Sequence, residues 1–168
     1  MHVGAVARYA ARRVPIDDVH DVLSETFLTA WRKLDAVPED AVPWLFATAR
    51  RHIANRNRST RRRQALRLCL INAHALGDAP QPEAEPVEID GDIVDAIHRL
   101  PAGEREALML VAWDGLDPQR AAIAAGCSGA ALRVRLHRAR SRLKRELASI
   151  SETTAHASLP RERLENVR

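Results

Sequence analysis

Residues 129–147, GAALRVRLHRARSRLKREL, constrain the fold more than any other stretch of the chain. Leu132, Leu136, Ala139, Leu143 and Leu147 recur at steps of three and four, which on a 3.6-residue helix makes one narrow apolar stripe. Off the stripe the helix is cationic: Arg133, Arg135, Arg138, Arg140, Arg142, Lys144 and Arg145. No acid occurs between Asp117 and Glu146. Such a helix must bury one edge on a scaffold and leave the rest to water or to a polyanion. A solvated face is the ordinary fate of a basic run, but phosphate binding needs the same cations.

The residues just upstream favour the polyanion. In residues 117–128, DPQRAAIAAGCS, Asp117 suits an N-cap and Pro118 the first helical turn. Ala121, Ala122 and Ile123 are placed to pack inward, Gly126 supplies a tight turn, and Ser128 suits the cap of the basic helix. Short helix, glycine turn and basic helix form the helix-turn-helix pattern, whose second helix enters the major groove. With each residue turning 100°, Val134 points almost opposite the stripe, flanked by Arg133, His137 and Arg138. These four are the expected base readers: an arginine suits a guanine edge and a valine a thymine methyl. Arg140, Arg142 and Arg145 lie further along and are expected to meet phosphates, while Lys144 faces solvent.

The chain has 168 residues and a net charge of +4, with no β-branched run long enough for a sheet. The expected class is all-α: two small helical domains joined by a flexible acidic linker, the C-terminal one a helix-turn-helix. The expected limits are 1–76, 77–92 for the linker, 93–150, and 151–168 for a polar, fraying tail. Residues 3–14 read as a short helix broken by Pro15, and Asp17 or Asp18 as the cap of the next. In that second helix Val19, Val22, Leu23, Thr26, Phe27, Ala30, Trp31 and Leu34 step as one wide buried face. Asp18, Asp21, Glu25 and Arg32 lie opposite, with Leu28 among them. Leu28 is either an ordinary surface leucine or the centre of a protein-binding patch with a charged rim.

After a loop at 35–43, Pro43 opens a helix whose first half holds Trp44, Phe46 and Ile53 and whose second half is dense with arginine. No acid occurs at residues 41–77. Aromatics beside cations suit single-stranded DNA, although core packing is the commoner role of rings such as Trp44 and Phe46. Residues 77–92 then carry six carboxylates and no base, as a self-repelling spacer or a mask for the basic modules on either side. Residues 93–100 and 104–113 read as two more helices, the second closed by Asp114 and Gly115. Cys69 and Cys127 stand far apart, as reduced thiols would in a cytoplasmic protein. No signal peptide, membrane-length apolar run, HExxH, Cys–His cluster or glycine-rich phosphate loop is present, so an enzyme is the weakest reading and no cofactor or metal is expected. His20, His52 and His137 sit among charges, as surface or DNA-facing groups.

In this order the motifs resemble those of an extracytoplasmic-function (ECF) RNA polymerase sigma factor of the sigma-70 family. DDVHDVLSETFLTAW and WLFATAR are similar to region 2 of that family; LPAGEREALMLVAWDGL and VRLHRARSRLKREL are similar to region 4. Departures from the family pattern fall at Ser24, Thr48, Arg51, Asn55 and Val134. The resemblance implies a non-enzymatic factor that directs core RNA polymerase to promoter DNA, without membrane insertion and with an anti-sigma factor as a further partner. It implies that Asp21, Glu25 and Leu28 dock on polymerase. It implies that the 35–43 loop and the helix after it capture the −10 strand, with Trp44, Arg50, Arg51, Asn55 and Arg58 as candidates. It implies −35 recognition by the 129–147 helix, with Arg133, Val134, His137, Arg138 and Arg142 as candidates. The rival expectation is a helix-turn-helix regulator that never binds core polymerase.

Overall fold

The computed structural model describes the backbone of residues 2–71 and 91–157 and the side chains of residues 2–63 and 93–149. The acidic stretch 77–90, the tail from residue 158 and the Cys69 side chain lie outside the described residues. Within the described residues there are seven α-helices, one 3-10 turn and no strand.

The first half contains α1 (Val3–Ala11), α2 (Ile16–Arg32), the 3-10 turn (Leu34–Ala36) and α3 (Ala41–Ile71). The N-cap of α2 is Pro15, not Asp17 or Asp18. Proline's fixed φ holds the chain extended there, and both aspartates fall in the first turn, where the helix dipole favours carboxylates. On α2, Val22 and Thr26 are fully buried, and Val19, Leu23, Phe27 and Ala30 pack around the core. Trp31 and Leu34, expected on the same face, are 77% and 66% exposed. The apolar pattern outlasts the helix: α2 stops at Arg32, the 3-10 turn carries the chain away, and the last turn has little to pack against.

The second half contains α4 (Gly91–Arg99), α5 (Ala102–Ala112), α6 (Pro118–Ala125) and α7 (Gly129–Ala157). The Asp117 carboxylate accepts hydrogen bonds from the backbone N–H of Gln119 (2.8 Å) and Arg120 (3.0 Å), an N-cap worth about 1 kcal/mol. Gly126 closes α6 with φ 61°, a left-handed conformation in which a side chain would be strained. Ser128 Oγ then accepts from Ala131 N–H at the start of α7. Leu132, Leu136 and Ala139 are buried, whereas Leu143 and Leu147 are only half-buried. The α7 helix runs on to Ala157, past the point where the sequence suggested a frayed tail.

Ile123, expected inward, is 55% exposed. The reason is where α6 lies: it is wedged between α3 on one side and α5 and α7 on the other. Helices that approach closely accept small residues, and Ala121, Ala122, Ala124 and Ala125 take all the buried positions. The two halves therefore pack against each other. One continuous apolar core runs from Val6, Tyr9, Phe46 and Ile53 to Leu110, Ala121 and Leu132.

Candidate nucleic-acid and polymerase interface

The reading face of α7 is set by its buried stripe. With Leu132, Leu136 and Ala139 inside, Arg133, Val134, His137 and Arg138 all stand exposed, Val134 at 48%. Arg140 and Arg145 are exposed further along, on the half of the helix suited to phosphates. Arg142 is differently employed: its Nε lies 3.1 Å from Oε2 of Glu104, a buried carboxylate in the first turn of α5. Arg135 is half-buried, with its guanidinium alongside Gly103.

The α3 helix divides its arginines among three directions. At 100° per residue, Trp44, Arg51, Asn55 and Arg58 fall within about 60° of one another. Arg51, Asn55 and Arg58 are exposed, and Arg58 donates a 2.8 Å hydrogen bond to the Asn55 side-chain oxygen. Trp44 is half-buried at the end of this stripe, packed against the core. Phe46 is a core residue, its ring stacked on Tyr9 at 4.5 Å between centroids. Thr48 is buried and donates to the Trp44 carbonyl.

Arg50 sits about 100° away from Arg51 and faces the second half. Its Nε donates to the Ala124 carbonyl of α6 at 3.1 Å. Arg50 is thus separated from the other −10 candidates, with which the family resemblance had grouped it. The third direction faces α2. Arg56 pairs with Asp18 and, at 3.0 Å, with Asp21; its hydrogen bond to Asp21 leads the interactions that hold the guanidinium firmly charged. His52 lies between Glu25 (Nδ1 to Oε2, 3.0 Å) and Thr29 (Nε2 to Oγ1, 3.0 Å).

Asp21 and Glu25 therefore keep an exposed side while each is braced by α3. Leu28, one turn on, is 49% exposed. Trp31 near the end of α2 and Leu34 in the 3-10 turn after it are exposed as well. The sequence offered Leu28 as a patch centre but not Trp31 or Leu34, because those two fit the buried pattern. The bracing by Arg56 and His52 left no signal either, since it depends on how α2 crosses α3.

Between the halves lies a cluster that the sequence also left hidden. Arg13 pairs with Glu106 (2.9 Å) and Asp114 (2.8 Å), and Arg12 pairs with Asp114 (2.7 Å). Two arginines meet two carboxylates, so the cluster is neutral overall. Arg13 also covers the Tyr9 ring at 3.7 Å, and the Tyr9 hydroxyl donates to Glu106 at 2.9 Å. Burial, reinforced by the Glu106 charge, keeps the Tyr9 phenol protonated well above its ordinary range. For Arg13, burial opposes the charge, but Tyr9, Glu106 and Asp114 outweigh it. At the far side of the junction Arg120 of α6 forks onto Asp40, with two hydrogen bonds of 2.8 Å.

Among the described residues no cluster of His, Cys, Asp or Glu is suited to hold a metal ion. No described helix is long and apolar enough to cross a membrane.

Two family models match the chain: sigma-70 region 2 over residues 1–63 and sigma-70 region 4 over residues 90–143. Among curated relatives, the RNA polymerase sigma factor NccH of Alcaligenes xylosoxydans xylosoxydans is 34% identical over 159 residues, covering 87% of this chain and 83% of that protein. The sigma factor CnrH of Cupriavidus metallidurans is 32% identical, covering 89% and 84%. Among solved structures, the sigma factor RpoE bound to the anti-sigma factor NepR from Bartonella quintana aligns with a TM-score of 0.60 and 25% identity, covering 87% of this chain and 91% of that one. CnrH in complex with the cytosolic domain of CnrY aligns at 0.58 and 28%, covering 88% and 83%. Region 2 carries the braced α2 face and the α3 stripe, and region 4 carries the exposed α7 face, so motifs, fold and relatives agree: the chain belongs to the ECF group of the sigma-70 family of RNA polymerase sigma factors.

Proposed function

We propose that this chain starts transcription at specific promoters by docking on core RNA polymerase through α2 and reading DNA with α3 and α7. The observation that carries the reading is one chain holding, in order, a braced acidic-apolar patch, a cationic stripe beside Trp44 and an exposed reading helix. The α2 patch has Leu28 at its centre, Asp21 and Glu25 on its rim, and Trp31 and Leu34 enlarging its apolar part. An apolar centre with a polar rim is the anatomy of a protein-binding surface.

The first half, residues 1–76, takes the −10 element. Arg51, Asn55 and Arg58 track the strand, and Trp44 shapes the pocket end of the stripe. Extracting a base from the stack costs a few kcal/mol, which a preformed cationic groove offsets without ATP. Arg50 joins them once α6 leaves it. The second half, residues 93–150, takes the −35 element. Arg133, Val134, His137 and Arg138 read bases, Arg140 and Arg145 hold phosphates, and Arg142 reaches DNA only by giving up Glu104. Residues 77–92 serve as the link between the two modules.

The chain itself performs no catalysis; bond formation belongs to polymerase. It works in the cytoplasm, where polymerase and promoters are. An anti-sigma factor is a fitting partner, because RpoE, a structural relative, is solved in complex with one. Run-off transcription with core polymerase and genomic promoter fragments tests the function. Transcripts that need both the chain and core polymerase support it. Duplex binding without core co-sedimentation or run-off would instead make the chain a helix-turn-helix regulator.

A further inference from the structure

Most exposed arginines of this chain face outward, where a duplex could meet them, but three converge on a concave space too small for one. A cleft of ≈ 410 Å³ lies where α1, α3, α5 and α7 come together. Five guanidiniums line it, those of Arg12, Arg13, Arg50, Arg105 and Arg135. Arg12 and Arg13 are neutralised by Glu106 and Asp114. Glu106, the one carboxylate on the cleft wall among the described residues, also accepts from the Tyr9 hydroxyl, so both of its oxygens are taken.

Arg50, Arg105 and Arg135 are left over. Among the described residues none of them has a carboxylate at ion-pair distance. Arg50 donates to the Ala124 carbonyl at 3.1 Å and Arg105 to the His98 carbonyl at 2.8 Å, while Arg135 lies alongside Gly103. Backbone carbonyls orient these groups without cancelling their charge. All three are half-buried and stand on three different helices, so the packing aims them at one space. Low-dielectric walls around a cleft of one sign concentrate its field.

We propose that this cleft is a binding site for a nucleoside polyphosphate. The volume falls within the range of about 300–1,000 Å³ typical of small-molecule sites. Three guanidiniums supply charge-assisted hydrogen bonds to phosphate oxygens, with the forked geometry that phosphate favours. The rest of the wall suits a flat ring: Ile53, Ile97 and Met109 are apolar, and Trp113 adds a half-buried indole. Phosphates at one side and an aromatic platform at the other select a nucleotide over a bare inorganic anion. Because the ligand touches α3, α5 and α7, it should also raise the melting temperature in proportion to its occupancy.

The test titrates adenosine triphosphate (ATP) and inorganic tripolyphosphate, each without metal, into the full chain at low salt by calorimetry. Wild type should bind one ATP, at least about fivefold tighter than tripolyphosphate, since stacking adds to the phosphate contacts. Arg105→Gln with Arg135→Gln should weaken ATP at least about tenfold with helicity unchanged. Ala54→Glu, which adds a carboxylate at an exposed position on the cleft, should do the same without removing any contact of the fold. Trp113→Leu should erase the advantage of ATP and leave tripolyphosphate binding as it was. Arg138→Gln with Arg140→Gln, on the exposed face of α7, should bind ATP like wild type. An equal loss in that variant and in the cleft variants would make binding a property of the basic surface and overturn the site. So would equal affinities of wild type for ATP and tripolyphosphate, or no binding of either. ATP binding that appears only after Glu83, Glu85, Glu88 and Asp90 are changed to their amides would give the cleft to the chain's own acidic residues, and the proposal would fall. Neither polymerase nor promoter enters this assay, so its outcome is independent of the promoter reading, which run-off transcription tests.

Discussion

The two arginine-rich helices look alike in sequence and are used differently. On α7 the arginines off the apolar stripe mostly stand in water, and four exposed residues form one reading face. On α3 the arginines are split: Arg56 braces the acidic face of α2, Arg50 seals against α6, and Arg51, Arg58, Arg61, Arg62 and Arg63 stay open. Each helix thus spends two of its seven described cations on the protein itself, but Arg50 and Arg56 of α3 point to two different helices, α6 and α2, whereas Arg135 and Arg142 of α7 both lie against the start of α5. What decides is where the neighbours lie, since α3 and α7 each pack against three helices. The first part of α3 is enclosed by α1, α2 and α6, while the reading face of α7 is exposed.

The largest expected effect comes from removing what aims α7. Leu132 is fully buried, and Leu132→Ala should cost about 2–5 kcal/mol in urea denaturation. The same truncation at exposed Val134 should cost under about 0.5 kcal/mol. Equal losses at both would mean that the helix is rotated from the orientation seen here.

That orientation was legible in the sequence, and for a clear reason. A stripe of three- and four-residue steps fixes which side of a helix is buried, and the Asp117, Gly126 and Ser128 signals fix where the turn lies. The acidic face of α2 was legible in the same way. Trp31 and Leu34 were misplaced because periodicity says which residues share a side but not where the scaffold under that side ends. Ile123 was misplaced because α6 is wedged between helices that only alanine lets approach. The pairs Arg13–Glu106, Arg12–Asp114 and Arg120–Asp40 join residues far apart in the chain, and no local pattern encodes them.

Next in size is the reading face. Arg133→Ala or Arg138→Ala should cost about 1–3 kcal/mol on the cognate −35 duplex and much less on random DNA. Competition binding at fixed salt checks it. Equal losses on both duplexes would turn these arginines into phosphate contacts.

Arg142 and Arg140 separate a braced arginine from a free one. Arg142→Ala strands the buried Glu104 carboxylate and should lower thermal stability by several degrees, with partial recovery on adding Glu104→Gln. Arg140→Ala should leave the melting temperature nearly unchanged and flatten the salt dependence of duplex binding by close to one unit of slope. If the Arg142 variant melts like wild type and flattens the slope instead, its partner in solution is phosphate.

The smallest effect is expected between neighbours on α3. Arg51→Ala should weaken binding of a −10 oligonucleotide in the free chain and in holoenzyme alike. Arg50→Ala should leave the free chain nearly unchanged, at about 1 kcal/mol or less, because that guanidinium is already spent on the Ala124 carbonyl. Indistinguishable variants in the free chain would remove the distinction between the two faces.

Every promoter-directed role proposed for α3 and α7 depends on α2 as the polymerase dock, and equilibrium binding of the chain to core RNA polymerase measures that most directly. Asp21→Ala with Glu25→Ala, and separately Leu28→Asp, should each weaken the complex by at least about tenfold, with helicity unchanged. Exposed helix positions such as these cost little stability. Wild-type affinity in both variants, with the fold intact, would contradict the dock.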